Sequence, residues 1–321
     1  MLIMNHFNSD FINMHRLDFE QPFVSVIIPV YNDRKRLILC LNVLEKQSYP
    51  KDLYEVILID NGSDEDISDL SKQSSNVFIF TEDTPGSYAA RNKGIAKAKG
   101  SIFAFTDADC IPKFNWIEKG VEKFLQTPNC GLVGGKIDLF FKNLSEPTAV
   151  EIYESIEMDF PQETLLAEQR YALTANVFTS KQVIDNVKTF NNKLKSGGDR
   201  EWGQRVFNAG YEQVFAQEAC VEHPARYSIW QLYKRITRIN GGNFDALKDN
   251  ISFKENITAL GKDLRLAFTP PLRSLLKIWT QEKRLSTNKQ RLQFILVMLF
   301  VRYVSAWERI RLRLGGSSRR W

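Results

Sequence analysis

The chain has 321 residues, of which 43% are hydrophobic and 25% are charged, a composition typical of a globular protein with a sizeable core. With only three histidines, a metal site built from several histidines is nearly excluded. The four cysteines form no C-x-x-C pair, so they predict neither a zinc site nor a disulfide framework, and they suit a reducing cytosol.

Charge is unevenly distributed along the chain. The formal net charge is +5, but the segment from Leu285 to the end holds eight Lys/Arg and one acid, a net of +7. The remainder holds 35 basic and 37 acidic residues, a net of −2. The basic character therefore belongs to the C-terminal tail, which argues against nucleic acid as a partner.

The first 22 residues contain neither the basic region nor the continuous apolar region of a secretory signal peptide. We interpret residues 1–22 as a poorly ordered N-terminal leader. No run of about 20 apolar residues occurs elsewhere in the chain, so no membrane-spanning helix is predicted.

A regular alternation of strands and helices begins at residue 23. The predicted strands are FVSVIIPVYN, YEVILIDNGS, NVFIFTED and SIFAFTDAD, and the predicted helices are RKRLILCLNVLEKQ and GSYAARNKGIAKAKG. The short connections predict parallel strands in a sheet that is covered on both faces. Ligands of such sheets lie beyond the carboxyl ends of the strands.

The alternation is looser after residue 109. Further strands are predicted at GLVGGKIDLFF and YALTANVFTSK. Helices are predicted at FNWIEKGVEKFLQ and GDREWGQRVFNAG, the second capped by Asp199 or a neighbour. From Tyr227 onward the pattern is mostly helical. We therefore predict an α/β domain over residues 23–225 and a helical C-terminal extension over residues 226–321.

Two aspartates, Asp107 and Asp109, end the buried strand of SIFAFTDAD. Alternate side chains of a strand point to the same side, which predicts two carboxylates together at the ligand edge of the sheet. Such charges repel unless a cation lies between them, and Mg²⁺ or Mn²⁺ prefers oxygen ligands that it shares with phosphates. The alternative is that Asp107 begins a turn and Asp109 caps the next segment. The position at the end of a buried strand favours the metal.

Two further polar groups fall near the same edge. Asp60 ends the strand of LIDNGSDED, where a carboxylate can accept hydrogen bonds from a nucleobase or ribose, although it can also begin a turn through NGS. Arg91 lies early in a predicted helix and can reach a phosphate or a partner aspartate.

Asp199 and Glu201 follow a glycine pair in KSGGDREWGQR. The glycines allow a sharp approach that places Asp199 beside the crevice, where a carboxylate can take a proton from an attacking hydroxyl. Equally, Asp199 can cap the helix, with an acid in the first turn. His223, a lone histidine, is more often structural than a ligand.

Together, these segments resemble the family 2 glycosyltransferases, inverting enzymes of the GT-A fold. The resemblance rests on VSVIIPVYN, EVILIDNGSDED, PGSYAARNKGIAKAKGSIFAFTDADC and GGDREWGQRVFNAGY, in this order over residues 23–225. It implies a nucleotide-diphospho-sugar transferase fold with a Rossmann-like, mainly parallel central sheet, followed here by the helical extension.

The resemblance also implies a nucleotide-sugar donor. Pro29, Tyr31 and Asp60 would surround the base and ribose, and Arg91 would lie in the donor pocket. Asp107 would contact the ribose as the first member of the family's D-x-D.

Three residues are implied to carry the metal and the chemistry. Asp109 would hold a divalent metal, Mg²⁺ or Mn²⁺, and His223 would supply a further metal or diphosphate contact. Asp199 resembles the catalytic base, but Gly198 stands where the family often has a glutamate, so Glu201 remains a rival base.

The implied reaction is transfer of a single sugar to a hydroxyl of a glycan or lipid-linked acceptor, in surface or extracellular polysaccharide biosynthesis. The Q-x-x-R-W motif of processive synthases is missing, which favours addition of single sugars. The alternative is a non-catalytic, membrane-associated scaffold, against which the retained acids argue. A nucleotidyltransferase or a dehydrogenase would need glycine-rich loops that the first strand lacks.

The segment NKQRLQFILVMLFVRYVSAWERIRLRL predicts one amphipathic tail helix. Its narrow basic stripe contains Arg291, Arg302, Arg309 and Arg313, and broadly opposite lie Leu292, Leu296, Phe300, Tyr303, Val304, Trp307 and Leu314. The helix either lies in an anionic membrane surface or packs its apolar face on the domain with its arginines in solvent. We favour a cytoplasmic protein in peripheral contact with the inner face of a membrane, because a lipid-linked acceptor would make that contact useful.

Overall fold

The structure is a computed structural model that describes residues 21–72, 74–157, 160–247 and 251–319. The predicted leader therefore lies outside the described residues except for its last two. Eight strands of the described chain form one sheet. They are Val24–Val30 (β1), Tyr54–Asp60 (β2), Val77–Thr81 (β3), Ile102–Thr106 (β4), Ile111–Pro112 (β5), Cys130–Phe140 (β6), Asn176–Ser180 (β7) and Glu212–Pro224 (β8).

The strand order across the sheet is β3-β2-β1-β4-β7-β6-β8-β5. The first four strands pair in parallel, as predicted. β7 then lies antiparallel between β4 and β6. Beyond it, β6 and β8 pair in parallel and β5 pairs antiparallel with β8. The expected parallel sheet is therefore confirmed for its first half, and β7 makes the second half mixed.

Three strand predictions need correction. β5 and β8 were not predicted, and the strand expected over YALTANVFTSK is limited to Asn176–Ser180. β8 lies close to the edge of the sheet, and fewer than half of its residues are buried. It therefore lacks the continuous apolar run that marks β1, β2 and β4 as buried strands.

Helices follow the strands and cover the sheet. They are Arg34–Leu44 (α1), Ser87–Lys97 (α2), Trp116–Gln126 (α3), Ala149–Glu157 (α4), Gln162–Thr164 (α5), Lys181–Val187 (α6), Gly198–Asn208 (α7), Ile229–Leu247 (α8), Phe253–Phe268 (α9), Leu272–Gln281 (α10) and Asn288–Arg313 (α11). A π-helical segment, Leu165–Gln169, continues α5.

The central strand β1 is buried on both faces because its alternate side chains enter two different clusters. Val26 packs in the cluster of Leu41 on α1 and Trp116 on α3. Ile27, the next residue, packs in the cluster of Trp202 on α7. The sheet is therefore covered on both sides, as the apolar run of β1 predicts.

The start of α7 differs from the expected side-chain cap. Gly197 occupies the N-cap position with φ 81°, and no side chain caps the helix there. The backbone N–H of Gly198 donates to the Tyr88 hydroxyl at 3.0 Å. Asp199 lies in the first turn and accepts a hydrogen bond from Thr174 instead. The N-cap position is therefore wrong for Asp199 and belongs to a neighbour, whereas the acid in the first turn is confirmed.

The C-terminal helices pack against α4 through a third apolar cluster. It joins Val150 of α4, Leu232 of α8 and Phe294 of α11. The predicted tail helix is confirmed as α11. In the described part of the chain, no helix is long and apolar enough to cross a membrane.

The basic stripe of α11 does not take either of the positions expected for it. Arg309 and Arg313 donate to the Asp263 carboxylate of α9 at 2.7 and 2.9 Å, and Arg302 donates to the Thr269 carbonyl oxygen at 2.9 Å. These three arginines therefore bind α9 rather than facing a membrane or open solvent. Much of the apolar stripe is exposed instead: Leu292, Leu296, Tyr303, Trp307 and Leu314.

Candidate active site

A cleft of about 1700 Å³ opens at the carboxyl edge of β1 and β4 and extends to α7 and α8. Most residues that the sequence singled out line this cleft: Pro29, Tyr31, Arg91, Asp107, Asp109, Asp199, Glu201 and His223. The fold brings them together because the ends of β1, β4 and β8 and the starts of α2 and α7 meet at this edge.

Asp107 lies just beyond the end of β4, in a turn that is closed by a 3.1 Å hydrogen bond from the Cys110 N–H to the Asp107 carbonyl oxygen. Its carboxylate accepts a hydrogen bond from Arg91 Nη2 at 2.5 Å. The expected alternation within a strand is therefore wrong, since β4 ends at Thr106. The turn that the sequence offered as an alternative is confirmed, and so is a partner aspartate for Arg91.

Asp109 faces a different set of groups. One carboxylate oxygen lies 3.7 Å from His223 Nε2, and the other lies 3.4 Å from Arg36 Nη1. Burial raises the pKa of Asp109, and the nearby His223 and Arg36 oppose that rise whereas Asp107 adds to it. Each aspartate therefore has its own basic partner, which is how two like charges coexist here.

His223 is placed by β8, whose pairing with β5 sets Glu222 opposite Ile111. Its Nδ1 lies 2.9 Å from the Pro224 carbonyl oxygen, which can only accept a hydrogen bond. Nδ1 therefore carries the proton, and in a neutral ring Nε2 presents its lone pair to Asp109. Two acceptors that face each other at 3.7 Å favour a cation between them.

The side chains at this point fit a divalent metal. Ligand atoms of Asp109, Cys110 and His223 lie within 4.8 Å of one another. A carboxylate oxygen and an imidazole nitrogen suit Mn²⁺, whereas a thiol is a soft ligand that Mn²⁺ does not favour. Asp109 and His223 are therefore the two protein groups that would hold such an ion, and other oxygen ligands would complete its shell.

Asp199 is a half-buried residue that lines the cleft. The Thr174 hydroxyl donates to it at 3.0 Å. Burial raises the pKa of Asp199, while Arg91 and the Thr174 hydrogen bond counteract part of that rise. A carboxylate whose pKa is raised toward neutrality is a better proton acceptor than an ordinary aspartate.

Glu201 lies two residues further along α7, and its carboxylate is already paired with Arg205. Arg205 Nε donates to one of its carboxylate oxygens at 2.7 Å and Arg205 Nη2 to the other at 3.0 Å. Both oxygens are thus held by a bidentate ion pair, which distinguishes Glu201 chemically from Asp199.

The remaining predicted residues lie on the β1 and β2 side. Pro29 is on β1, and Tyr31, beyond the strand, is 57% exposed at the cleft. Asp60 accepts a hydrogen bond from the Ser63 N–H at 3.0 Å, which confirms the turn. The residues after it, Asn61 and Gly62, line the cleft, whereas Asp60 is not among the described lining residues.

Sequence reasoning missed several residues that line the cleft on or near α8. Arg226 precedes α8, and Arg235 and Arg238 lie on it. Thr174, which positions Asp199, was also missed. The spacing of Arg235 and Arg238 places them on one face of a helix, and this was the one local signal that could have indicated the cluster.

Solved structures show which class of protein has this fold. A Pyrobaculum calidifontis mannosyltransferase, PcManGT, solved with GDP-Man and Mn²⁺, aligns with a TM-score of 0.60 over 90% of this chain and 87% of its own, at 15% identity. Residues 1–349 of S. aureus TarS align with a TM-score of 0.51 over 92% and 93%, at 18% identity. The chain has the GT-A glycosyltransferase fold.

Sequence comparison then identifies the family. Residues 25–185 match Glycosyl transferase family 2. Glycosyltransferase AglE of Haloferax volcanii is 37% identical over 255 residues, which are 78% of this chain and 82% of that protein. The chain belongs to glycosyl transferase family 2 and is a glycosyltransferase.

A second relative carries a more detailed name. A Methanococcus voltae protein, dolichyl N-acetyl-alpha-D-glucosaminyl phosphate 3-beta-D-2,3-diacetamido-2,3-dideoxy-beta-D-glucuronosyltransferase, is 25% identical over 226 residues. The alignment spans 66% of this chain and 70% of that protein.

Proposed function

We propose that this glycosyltransferase moves one sugar from a nucleotide-diphosphate sugar to a hydroxyl of a lipid-linked glycan acceptor, with inversion at the anomeric carbon. The observation that carries the proposal is that one cleft holds both the Asp109–His223 pair and the half-buried Asp199 carboxylate, whose pKa is raised. The first suits a metal-bound diphosphate and the second a general base, which together serve an inverting transfer.

The donor would lie along the edge of β1 and β4. Pro29, Tyr31 and Asp60 would surround the nucleoside, and Asp107 would contact the ribose. Arg91 supports this placement because it lines the cleft while its Nη2 is held by Asp107. A guanidinium group oriented in this way is suited to bind a donor phosphate.

The metal would be held by Asp109 and His223. When bound, a divalent ion neutralises the charge that develops on a departing diphosphate. Arg36 is 3.4 Å from Asp109 and would keep that carboxylate oriented.

Asp199 would act on the acceptor. It would take the proton of the attacking hydroxyl while the hydroxyl oxygen forms a bond to the anomeric carbon. The bond from that carbon to the diphosphate oxygen breaks on the opposite face, and the oxygen leaves with the electron pair. Asp199 is favoured over Glu201 because both carboxylate oxygens of Glu201 are held by Arg205.

The acceptor class is supported by the Methanococcus voltae relative, whose name includes a dolichyl sugar phosphate. A lipid-linked acceptor implies a role in building surface or extracellular glycans. It also implies that the enzyme works at the cytoplasmic surface of a membrane, so a membrane-facing surface is expected.

Exposed apolar stripes on the C-terminal helices support peripheral membrane contact. Each stripe lies within about 60° of helix surface at 100° per residue. The exposed residues are Phe253, Ile257, Leu264 and Phe268 on α9, Leu272, Leu276 and Trp279 on α10, and Leu292, Leu296, Tyr303 and Trp307 on α11. A monomeric soluble protein rarely leaves so many large apolar side chains in water.

Charges beside these stripes suit an anionic lipid surface. Lys254 and Arg265 on α9 and Arg273 on α10 are exposed, and each lies within about 60° of the edge of its stripe at 100° per residue. Basic residues that flank an apolar face add electrostatic attraction to the burial of apolar area. We therefore move the proposed contact from the arginine stripe of α11 to the apolar stripes of α9, α10 and α11.

The test is release of nucleotide from a panel of nucleotide sugars, with Mn²⁺ or with EDTA, by the wild type and Asp109→Ala. Metal-dependent release from one donor, lost in the variant, supports the proposal and identifies the donor. The anomeric configuration of the product, read by NMR, tests inversion. No binding to any donor would favour the non-catalytic scaffold.

A further inference from the structure

Three arginines line the same cleft as Asp199. Arg226 lies just before α8, and Arg235 and Arg238 lie one turn apart on it. Arg235 is only 13% exposed in its side chain and Arg226 only 23%. The mechanism proposed above assigns no task to any of them.

One carboxylate serves this cluster. Glu154 of α4, with a fully buried side chain, lies 3.1 Å from Arg226 Nη1 and 3.4 Å from Arg235 Nη1. It also accepts a hydrogen bond from the Arg226 backbone N–H at 2.7 Å. In the described ranges of the chain, Arg238 has no acid within ion-pair distance. Among the described residues, one carboxylate is therefore paired with two of the three guanidinium groups, and Arg238 adds a further positive charge.

The excess of positive charge is reflected in lowered pKa values of Arg235 and Arg238. Burial and the neighbouring Arg226 lower the pKa of Arg235 to about 9, which Glu154 only partly opposes. The same two causes lower the pKa of Arg238, while Tyr88, Asp199 and Asp107 oppose the change from further away. Buried cations in excess are costly unless an anion joins them.

We propose that Arg226, Arg235 and Arg238 bind a phosphate group of the acceptor. The inference rests on the proposed transfer to a lipid-linked acceptor and specifies its chemistry, which is a phosphate ester. Planar guanidinium groups match the oxygens of a phosphate in pairs.

The acceptor is favoured over the donor as the source of this phosphate. Arg91, Asp107, Asp109 and His223 already account for a diphosphate and its metal beside β4. Arg226 and Arg235 are instead paired with Glu154 of α4. The charge of Asp199, the residue that would receive the acceptor's proton, acts on Arg238 more strongly than that of Asp107. A phosphate held by α8 would therefore anchor the acceptor while its hydroxyl reaches Asp199.

The experiment measures binding without turnover, so that it is independent of the proposed chemistry. Calorimetry with the full chain would compare citronellyl phosphate with citronellol, which lacks the phosphate, and separately UDP and GDP with Mn²⁺. Arg238→Gln is the main variant because, among the described residues, no acid is ion-paired with Arg238 and would be left without its partner. Lys234→Gln is the matched control, since Lys234 lies on the same helix, over the Trp230 ring and outside the cleft lining.

We expect wild type to prefer citronellyl phosphate, and Arg238→Gln to weaken that binding about tenfold to a hundredfold, as for a lost charge-assisted hydrogen bond. Arg238→Lys, which keeps the charge, should recover part of the loss, and Lys234→Gln should behave as wild type. Equal binding of citronellyl phosphate and citronellol would overturn the proposal.

Loss of nucleotide affinity in Arg238→Gln, with citronellyl phosphate binding intact, would also overturn it and assign the arginines to the donor. Absence of transferase activity together with intact, Arg238-dependent phosphate binding would instead count against the proposed function alone. The two ideas can therefore fail separately.

Discussion

The Thr174 hydroxyl donates a 3.0 Å hydrogen bond to the half-buried Asp199 carboxylate. This bond fixes the carboxylate at the wall of the cleft and stabilises its charged form. Burial acts in the opposite direction and raises the pKa of Asp199 above its ordinary value. The two effects together produce an oriented carboxylate with an enhanced affinity for protons, as a general base requires.

Replacing the proposed base should slow transfer strongly. Asp199→Asn keeps the size of the side chain but cannot accept a proton, so kcat is expected to fall about 10²-fold to 10⁴-fold with little change in donor affinity. Glu201→Gln, measured in parallel, should cost far less, since Arg205 already holds that carboxylate. The reverse ranking of the two variants would make Glu201 the base.

The acid limb of the pH–rate profile should report the same carboxylate. As pH falls through the raised pKa of Asp199, the base becomes protonated and kcat/KM decreases. Thr174→Val removes a donor that favours the charged form, so the pKa should rise further and the limb should move to higher pH. Thr258→Val, which removes a hydroxyl from α9, is the control, and an identical profile in all three proteins would contradict this reading.

Stability should change with pH in the direction opposite to activity. Because the folded pKa of Asp199 lies above the unfolded one, the protonated acid contributes stability at low pH that is lost as pH rises through the folded value. Asp199→Asn cannot ionise and should melt at a higher temperature than wild type near neutral pH. Thermal denaturation across pH would test this, and the difference should vanish below both pKa values.

The metal site offers a test within one cluster of three side chains. Asp109→Asn and His223→Ala should weaken Mn²⁺ binding at least about tenfold, since even outer partners of a metal ligand cost that much. Cys110→Ala should bind Mn²⁺ as the wild type does, because the thiol is a poor ligand for a hard ion. Calorimetric titration with Mn²⁺ measures all three, and a loss confined to Cys110→Ala would refute the ligand assignment.

The sequence predicted the half of the fold whose signals are local. β1, β2 and β4 are buried on both faces and appear as continuous apolar runs, so their ends, and the acids that follow them, could be located. β8 could not, because its exposed and buried residues mix near the edge of the sheet. The proximity of His223 to Asp109 depends on the pairing of β5 with β8, which no local pattern encodes.

The tail helix illustrates a different limit. Helical periodicity predicted the length of the helix and its two stripes correctly. It did not predict what each stripe contacts. Asp263 lies on α9 and binds Arg309 and Arg313, which turns the basic stripe inward. Periodicity shows which residues share a face of a helix, whereas tertiary packing decides which neighbouring element covers that face.

Packing of α3 on the sheet can be tested at a glycine. A Cβ on Gly120 would overlap the ring of Phe178 on β7, so Gly120→Ala should destabilise the fold by about 1–3 kcal/mol. Gly261→Ala on α9 meets no atom within 4 Å and should be stabilising by up to about 1 kcal/mol through helix propensity. Urea denaturation of both variants would reveal the opposite signs, and a neutral Gly120→Ala would disprove the close approach.

The membrane proposal makes a prediction about apolar residues rather than arginines. Phe268 is 82% exposed at the end of α9, and Leu272 is 67% exposed at the start of α10. The double variant Phe268→Asp/Leu272→Asp should weaken binding to phosphatidylglycerol-containing vesicles about tenfold or more, because it removes apolar area and adds repulsion from anionic lipid.

Phe114→Asp is the matched control, since Phe114 is 65% exposed between β5 and α3, away from the C-terminal helices. Vesicle flotation would measure binding of the three proteins, and hydrolysis of the nucleotide sugar in solution should be unchanged in the double variant. Because the apolar stripes and the cleft are separate surfaces, the double variant should lose vesicle binding but keep the donor reaction. Equal vesicle binding by the double variant and by the wild type would exclude this surface as the membrane contact.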